Sequence, residues 1–297
     1  MKWFSGGGLR ANTLLLLLPW MLIFGVFWLY PLLFTFYLSF TKYSTLSGQL
    51  TWTGLDNYMM LWRDPLFWKA LANTSIFTFG TIPFTTAFAL LLAVVLNRKL
   101  RGRELFRSAY FLPSVTSLVV ISLIFTNLYA GNGYINTLLG MLGLPYPERG
   151  WLLEPGLALY SIMAMEVWIA SGYYMVLFLA ALQAIPVDLY EAAELSGASA
   201  WQQFRRITLP MLRPTLLFVL VINTIKSFQV FVEIYIMTRG GPLSSTTTLT
   251  YLVYTNAFEK SDMMGYASAI AYVVFLIILL FSIAQMRLLR IDKTVGE

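Results

Sequence analysis

Six apolar runs, each long enough to cross a hydrocarbon core, constrain this chain more than any motif in it. They cover about residues 13–40, 71–96, 108–129, 157–185, 212–238 and 266–288. A spanning helix needs about 20 apolar residues, and long continuous runs select helices over the ten-residue alternation of a barrel. Composition agrees: 58% of residues are hydrophobic, 11% are charged, and the mean hydropathy is +0.70. Soluble domains run near about 25% charged. The expected fold class is therefore an all-α polytopic membrane protein, one transmembrane domain over 1–297 with six transmembrane helices. The first run is too long for a signal-peptide core, and no A-x-A cleavage pattern follows it. It reads as the first span, with Pro31 a candidate break.

Six spans put both termini on one side, and the basic residues select the side. The termini, the 97–107 cluster and the 188–214 stretch carry 13 of the 20 lysines and arginines, while acidic residues divide evenly between the two faces. Both termini, the basic cluster and the 188–214 stretch are thus expected in the cytoplasm. The net charge of +6 reports topology in such a chain rather than a nucleic-acid partner; the expected surroundings are membrane lipid.

Residues Asp188 to Pro214 form the longest polar segment and the most heavily punctuated one. Asp188 with Glu191, and Ser199 with Gln202, each have the spacing of a capping box. Gly197 lies between them, where a left-handed glycine would end the first helix. Pro210 and Pro214 mark the exit. The reading is helix, tight turn, helix, and on this chemistry alone an ordinary helical loop remains an equal alternative.

Glu166, Lys226 and Glu233 fall inside predicted spans. A charge at a span centre costs about 2.5–3.5 kcal/mol on insertion scales, so such residues face a cavity or a partner. Asn223, Lys226, Val230 and Glu233 recur at helical spacing as one polar stripe. Counted inward from the predicted outer ends, Glu166 and Lys226 lie at roughly 14 and 18 Å. Two compatible readings follow. One is an ion pair between Glu166 and Lys226 with Glu233 reaching the interface. The other is a polar, aromatic-lined site with Trp168, Tyr173, Phe228 and Gln229 near it.

The chain has no cysteine and no histidine, which removes thiol chemistry, disulfides, the common zinc and haem ligands and the usual neutral-pH base. No metal site is expected and no catalytic residue is assigned. There is no G-x-x-x-x-G-K-[ST], G-x-S-x-G or H-E-x-x-H. Residue chemistry leaves open a transporter, including a self-contained secondary transporter, or a membrane scaffold or assembly protein.

Glu191-Ala192-Ala193, with Gly197 four residues on and then Ile207, Leu209 and Pro210, resembles the EAA signature of binding-protein-dependent ABC importer permeases. Tyr30-Pro31, Ser39-Phe40, Gly54 with Asp56-Asn57, Asn73-Thr74, Asn97-Arg98, Phe111 to Pro113 and Gly133 with Asn136 extend the likeness, as does Met237 to Pro242 with Thr246 to Thr248. These features are similar to the carbohydrate subfamily, the maltose and glycerol-phosphate type, and to its first, A-type permease subunit. One position departs: Ser196 stands where the family usually has aspartate before the glycine.

The resemblance implies a type I ABC importer permease fold in a bacterial or archaeal cytoplasmic (inner) membrane. It implies a second permease subunit, two ATP-binding subunits docked on the EAA loop, and an extracytoplasmic solute-binding protein. No cofactor is implied on this chain, because ATP and Mg would bind the ATPase partner. Glu191, Ala192, Ala193, Gly197, Ile207, Leu209 and Pro210 would couple to that partner. Glu166, Ala170, Tyr173, Phe228, Gln229 and Ser114 match positions lining the family's sugar site.

Overall fold

The computed structural model describes residues 8–43, 48–98 and 101–288. Lys2, Lys99, Arg290 and Lys293, which entered the charge count, lie outside them. In chain order the helices and strands are α1 Gly8–Phe24, α2 Tyr30–Leu38, β1 Thr41–Tyr43, β2 Leu50–Trp52, α3 Asp56–Arg63, α4 Pro65–Leu96, α5 Arg103–Val115, α6 Leu118–Leu128 and α7 Tyr134–Met141. There follow α8 Ala158–Gln183, α9 Val187–Leu195, α10 Ala200–Gln203, α11 Leu209–Met211, α12 Arg213–Phe228, α13 Val232–Met237, α14 Leu249–Tyr254 and α15 Met264–Leu288. Five helical stretches among the described residues are long and apolar enough to cross a membrane, six if the bent pair α5–α6 is counted as one span.

The first span does not break at Pro31. A π-turn, Gly25–Leu29, carries α1 into α2 without leaving helical backbone, and Pro31 directly follows it, so the widened turn takes up the missing N–H and the ring. The second span starts earlier than hydropathy suggests, because Asp64 caps it through Leu66 N–H at 2.8 Å and Pro65 opens it. The third is not one straight rod. Thr116 and Ser117 take extended backbone and α6 leaves α5 at 98°. Thr116 Oγ1 donates to the Leu112 carbonyl, and Ser114 Oγ donates to that of Phe111, at 2.8 and 2.7 Å. These hydroxyls satisfy acceptors that the lost turn leaves behind.

The fold divides into two compact units. Of the described residues, the smaller contains those from 8 to 63 and 253–273. In it β1 and β2 pair antiparallel, with Thr41 opposite Trp52, and Asn57 Nδ2 donates to the carbonyls of Ser39 and Thr41, each at 2.9 Å. The Tyr272 hydroxyl donates to the Leu32 carbonyl at 2.6 Å.

The larger unit contains residues 64–252 and 274–297, and α8 is its axis. One apolar cluster gathers Phe77, Ile162, Met165, Ile169 and Ile234. A second gathers Ala89, Ala93, Tyr174, Phe178, Leu182 and Leu212. α8 passes from the first to the second between Ile169 and Tyr174. It also runs close against α5: a Cβ on Gly172 would lie 2.0 Å from the Tyr110 carbonyl oxygen. Only a glycine permits that approach.

Candidate functional site

Where α8 changes clusters, three interruptions meet. The α5–α6 bend supplies Phe111, Ser114 and Thr116, α8 supplies Glu166, Ala170, Tyr173 and Tyr174, and the region around the α12–α13 break supplies Lys226, Gln229, Phe231 and Glu233. Together they enclose a cavity of about 560 Å³, within the range of small-ligand pockets.

The break decides the geometry. α12 ends at Phe228, and α13 begins only at Val232. Carbonyls that a continuous helix would satisfy are left without their N–H donors, an expensive state in lipid. The 238–250 segment replaces them. Thr248 Oγ1 donates to the Val230 carbonyl at 3.1 Å and Thr250 Oγ1 to that of Phe228 at 3.3 Å. The segment is itself knit by hydroxyls: Thr246 bonds Thr238 at 2.7 Å and the Gly241 carbonyl at 2.8 Å, and Thr247 bonds the Gly240 carbonyl at 3.1 Å. α4 anchors it, with Asn73 Nδ2 donating to the carbonyls of Ser244 and Thr247 and Thr74 Oγ1 accepting from Leu249 N–H at 2.9 Å. The Met237–Thr248 motif is therefore a brace for an interrupted span.

Of the six residues expected to line a sugar site, Glu166, Ala170, Tyr173, Gln229 and Ser114 do line this cavity. Phe228 does not. It is buried in packing, stacked on Phe281 at 5.5 Å and edge-on to Phe79 at 6.4 Å. The likeness to the family's site does not carry over at this position, which falls at the last residue of α12 before the break. Trp168 also faces elsewhere, against Phe125 at 5.6 Å.

The expected polar stripe splits in the same way. Lys226 and Glu233 line the cavity, whereas Asn223 accepts from Ser227 at 3.3 Å on a buried face. No direct ion pair joins Glu166 and Lys226, whereas one does join Arg103 and Glu104, at 3.1 Å. The Lys226 ammonium instead sits over the Tyr173 ring, 4.8 Å from its centroid, a cation–π contact. The Glu166 carboxyl lies beside that of Glu233 and within electrostatic reach of Lys226. Glu233, expected near the interface, is 5% exposed and belongs to the site. Tyr174 contributes to the lining too, and its hydroxyl, on a residue 1% exposed, is buried without a hydrogen-bond partner. Its signal was absent from the sequence, where it is one tyrosine of 17. No group of three or more acidic residues able to hold a metal occurs among the described residues.

The 188–214 stretch folds as helix, turn, helix. α9 starts at Val187 with Pro186 as its N-cap residue, so Asp188 does not form the expected box with Glu191. Pro186 takes the N-cap position two residues ahead of Asp188, which instead serves as an acidic first-turn residue. The second box is present: Ser199 Oγ accepts from Gln202 N–H and Gln202 Oε1 from Ser199 N–H. Gly197 has φ +75°, with Ala198 N–H to the Ala193 carbonyl and Gly197 N–H to that of Glu194, both 2.9 Å. That pairing is a Schellman motif. The Tyr190 hydroxyl and Thr208 Oγ1, 2.9 Å apart, tie the two arms together. Glu191, Ala192 and Gly197 are exposed on this hairpin, with Leu195 91% exposed, while Ala193, Ile207, Leu209 and Pro210 are half-buried and hold it in place.

Residues 85–290 match the family described as "binding-protein-dependent transport system inner membrane component". The chain belongs to that family. It is a membrane-embedded permease subunit, a transport component rather than an enzyme. The permease is 38% identical over 278 residues to the lactose transport system permease protein LacF of Rhizobium radiobacter, covering 93% of each chain. It is 33% identical over 280 residues to the trehalose/maltose transport system permease protein MalF of Thermococcus litoralis, covering 94% of each. Its fold is similar to a chain of a bacterial alginate ABC transporter solved in complex with an alginate pentasaccharide-bound periplasmic protein, with TM-score 0.81, 24% identity and 96% of each chain covered. The secondary-transporter and scaffold alternatives have no support beside this membership.

Proposed function

We propose that this permease carries a sugar or a related polyol or glycerol-phosphate-type solute through the cytoplasmic (inner) membrane of a bacterium or archaeon. It pairs with a second permease subunit, takes solute from an extracytoplasmic binding protein, and is driven by two ATP-binding subunits that hold ATP and Mg. Its termini and the 188–214 hairpin face the cytoplasm. The sugar class is supported by the names of the relatives. The observation that carries the site is the cavity, which brings together Ser114, Glu166, Tyr173, Tyr174, Gln229 and Glu233. Amide, hydroxyl and carboxyl groups there suit sugar hydroxyls, and the aromatic and aliphatic carbon of the lining suits the apolar faces of a sugar ring.

The hairpin is the coupling element. Its exposed Glu191, Ala192 and Leu195 stand on a helix ended by a Schellman turn, tied back through Tyr190 to Thr208. A short, doubly fixed helix moves as a rigid body, which a docking element requires. ATPase closure displaces it, and the attached α8 and α11–α12 carry the displacement toward the cavity. Gln229→Ala removes a cavity-lining amide without touching the Thr248 and Thr250 braces. Uptake is expected to fall about tenfold, in line with the loss of one well-placed polar contact, while the assembled complex is recovered in normal yield. Unchanged uptake would refute the assignment of the cavity as the solute path.

A further inference from the structure

A second cavity, of about 610 Å³, lies between the C-terminal end of α4 and the 188–214 hairpin. Its α4 wall is a single stripe, Ala87, Leu90, Leu91, Val94, Asn97 and Arg98, spaced as successive turns of one helix face. From Ala87 to Arg98 the stripe rises about 16 Å, close to one leaflet, half of a hydrocarbon core about 30 Å thick. Its apolar members lie within the membrane-crossing stretch Pro65–Leu96, and Asn97 and Arg98 follow directly on its end. The wall thus turns from apolar to basic where a phospholipid turns from acyl chain to headgroup. Facing it are Trp201 and Phe204 of the second arm of the hairpin, their rings stacked at 5.6 Å. Trp201 is shared with a smaller basic hollow that it forms with Gln202, Arg205 and Arg206. Among the described residues, neither lining includes an acidic side chain.

Resting on the proposed placement of the hairpin at the membrane surface, we infer that this groove binds one anionic phospholipid. The lipid comes from the leaflet on the hairpin's side, which the proposed topology makes the cytoplasmic one. An acyl chain lies along the α4 stripe, against Trp201 and Phe204. The headgroup phosphate meets Arg98, and Arg205 and Arg206 add positive charge across the shared indole. Indoles favour this level of a bilayer, and basic pockets at the cytoplasmic ends of spans recruit anionic headgroups. A neutral lipid would fill the apolar part and leave the arginines without a counter-charge. Tyr190 and Thr208, which tie the arms of the hairpin together, also line the groove. The bound lipid therefore packs on the joint of the coupling element and steadies it against α4.

The assembled transporter, in nanodiscs of phosphatidylcholine, is given a trace of phosphatidylglycerol carrying a diazirine in its acyl chain, and photolabelled peptides are mapped by mass. Segments 87–98 and 200–208 are expected to carry the label, and unlabelled phosphatidylglycerol should displace it although phosphatidylcholine is already in excess. Arg98→Gln should lower labelling about fivefold, the weight of one basic residue near a membrane surface. Arg205→Gln together with Arg206→Gln should lower it further. Ala87→Trp, which fills the groove and keeps all three arginines, should remove the label from both segments. Equal labelling by the phosphatidylcholine analogue, or no loss in the arginine variants, shows a groove filled by bulk lipid and overturns the inference. Absence of label from both segments while other spans are labelled overturns it as well, because a protein chain, the second permease or an ATPase subunit, then covers the groove. Both leaflets of the nanodisc have one composition and no solute is present. These outcomes are therefore independent of which face is cytoplasmic, and the transport reading stands or falls separately on Gln229→Ala.

Discussion

The cavity and the 188–214 hairpin are both built from interrupted helices, and they mend the interruptions over different distances in the chain. In the hairpin the helix ends are repaired locally, and only the Tyr190–Thr208 tie between its arms spans more of the chain. Ala198 N–H returns to Ala193, Gly197 N–H to Glu194, and Ser199 and Gln202 cap each other. At the cavity the carbonyls of Phe228 and Val230 are satisfied by Thr250 and Thr248, about twenty residues away, and the segment carrying those threonines is fixed in turn by Asn73 and Thr74 of α4. A locally mended element keeps its shape while it moves as a unit. A site mended through three distant segments feels a shift in any of them, as an element that must open and close requires.

The largest effect expected from perturbing this division comes at the close approach of α5 and α8 beside the cavity. Gly172→Val places a branched side chain where even a Cβ would lie 2.0 Å from the Tyr110 carbonyl oxygen. Backbone cannot yield as a flexible side chain would, and overpacking of this kind costs about 3 kcal/mol. The expected result is a lowered unfolding temperature in detergent and loss of the assembled complex. A variant with wild-type melting and yield would mean that the two helices separate freely, and that the cavity wall is softer than its packing indicates.

The next effect belongs to the distant brace. Thr248→Val keeps the shape and removes the hydroxyl that donates to Val230 and accepts from Tyr251 N–H. Leaving a buried carbonyl unsatisfied costs about 2 kcal/mol. Transport should fall with little change in binding of the ATPase subunit, because the hairpin makes no use of this threonine. An equal loss of both would show that the two regions are not mended independently.

The same difference in range explains what could be read from the sequence. Spans are long, and their apolar runs are visible without any neighbour. The hairpin is legible because a capping box spans four residues and Gly197 announces its own φ. The one local misreading, at Asp188, came from Pro186, which takes the N-cap position two residues earlier. The cavity was legible only in part. Ser114, Glu166, Ala170, Tyr173 and Gln229 line it as their likeness to a known site implied, whereas Phe228, placed by the same likeness, packs away from it, and Glu233, read from depth as reaching the interface, lies in it. Both differences flank the break at Gln229, which nothing between Asn223 and Glu233 marks, because the residues that stabilise it are threonines on another segment. The 98° bend after α5 hid in the same way, since Pro113 alone is compatible with a straight, kinked or ended helix.

The smallest expected effect separates conformation from contact in the hairpin. A Cβ on Gly197 would meet nothing within 4 Å, yet its φ of +75° is one that L residues disfavour. Gly197→Ala should therefore cost about 1 kcal/mol through the backbone alone. Gly197→Asn should cost less, because asparagine enters the left-handed region more readily. Stimulation of the ATPase by the binding protein should follow the same order, wild type above asparagine above alanine, if the turn acts by holding Glu191, Ala192 and Leu195 at a fixed angle. Equal losses for alanine and asparagine would point instead to a side chain obstructing the docked partner. The hairpin would then work by fit at the turn rather than by stiffness, and the contrast with the cavity, where a Cβ at Gly172 meets backbone directly, would narrow to one of neighbours.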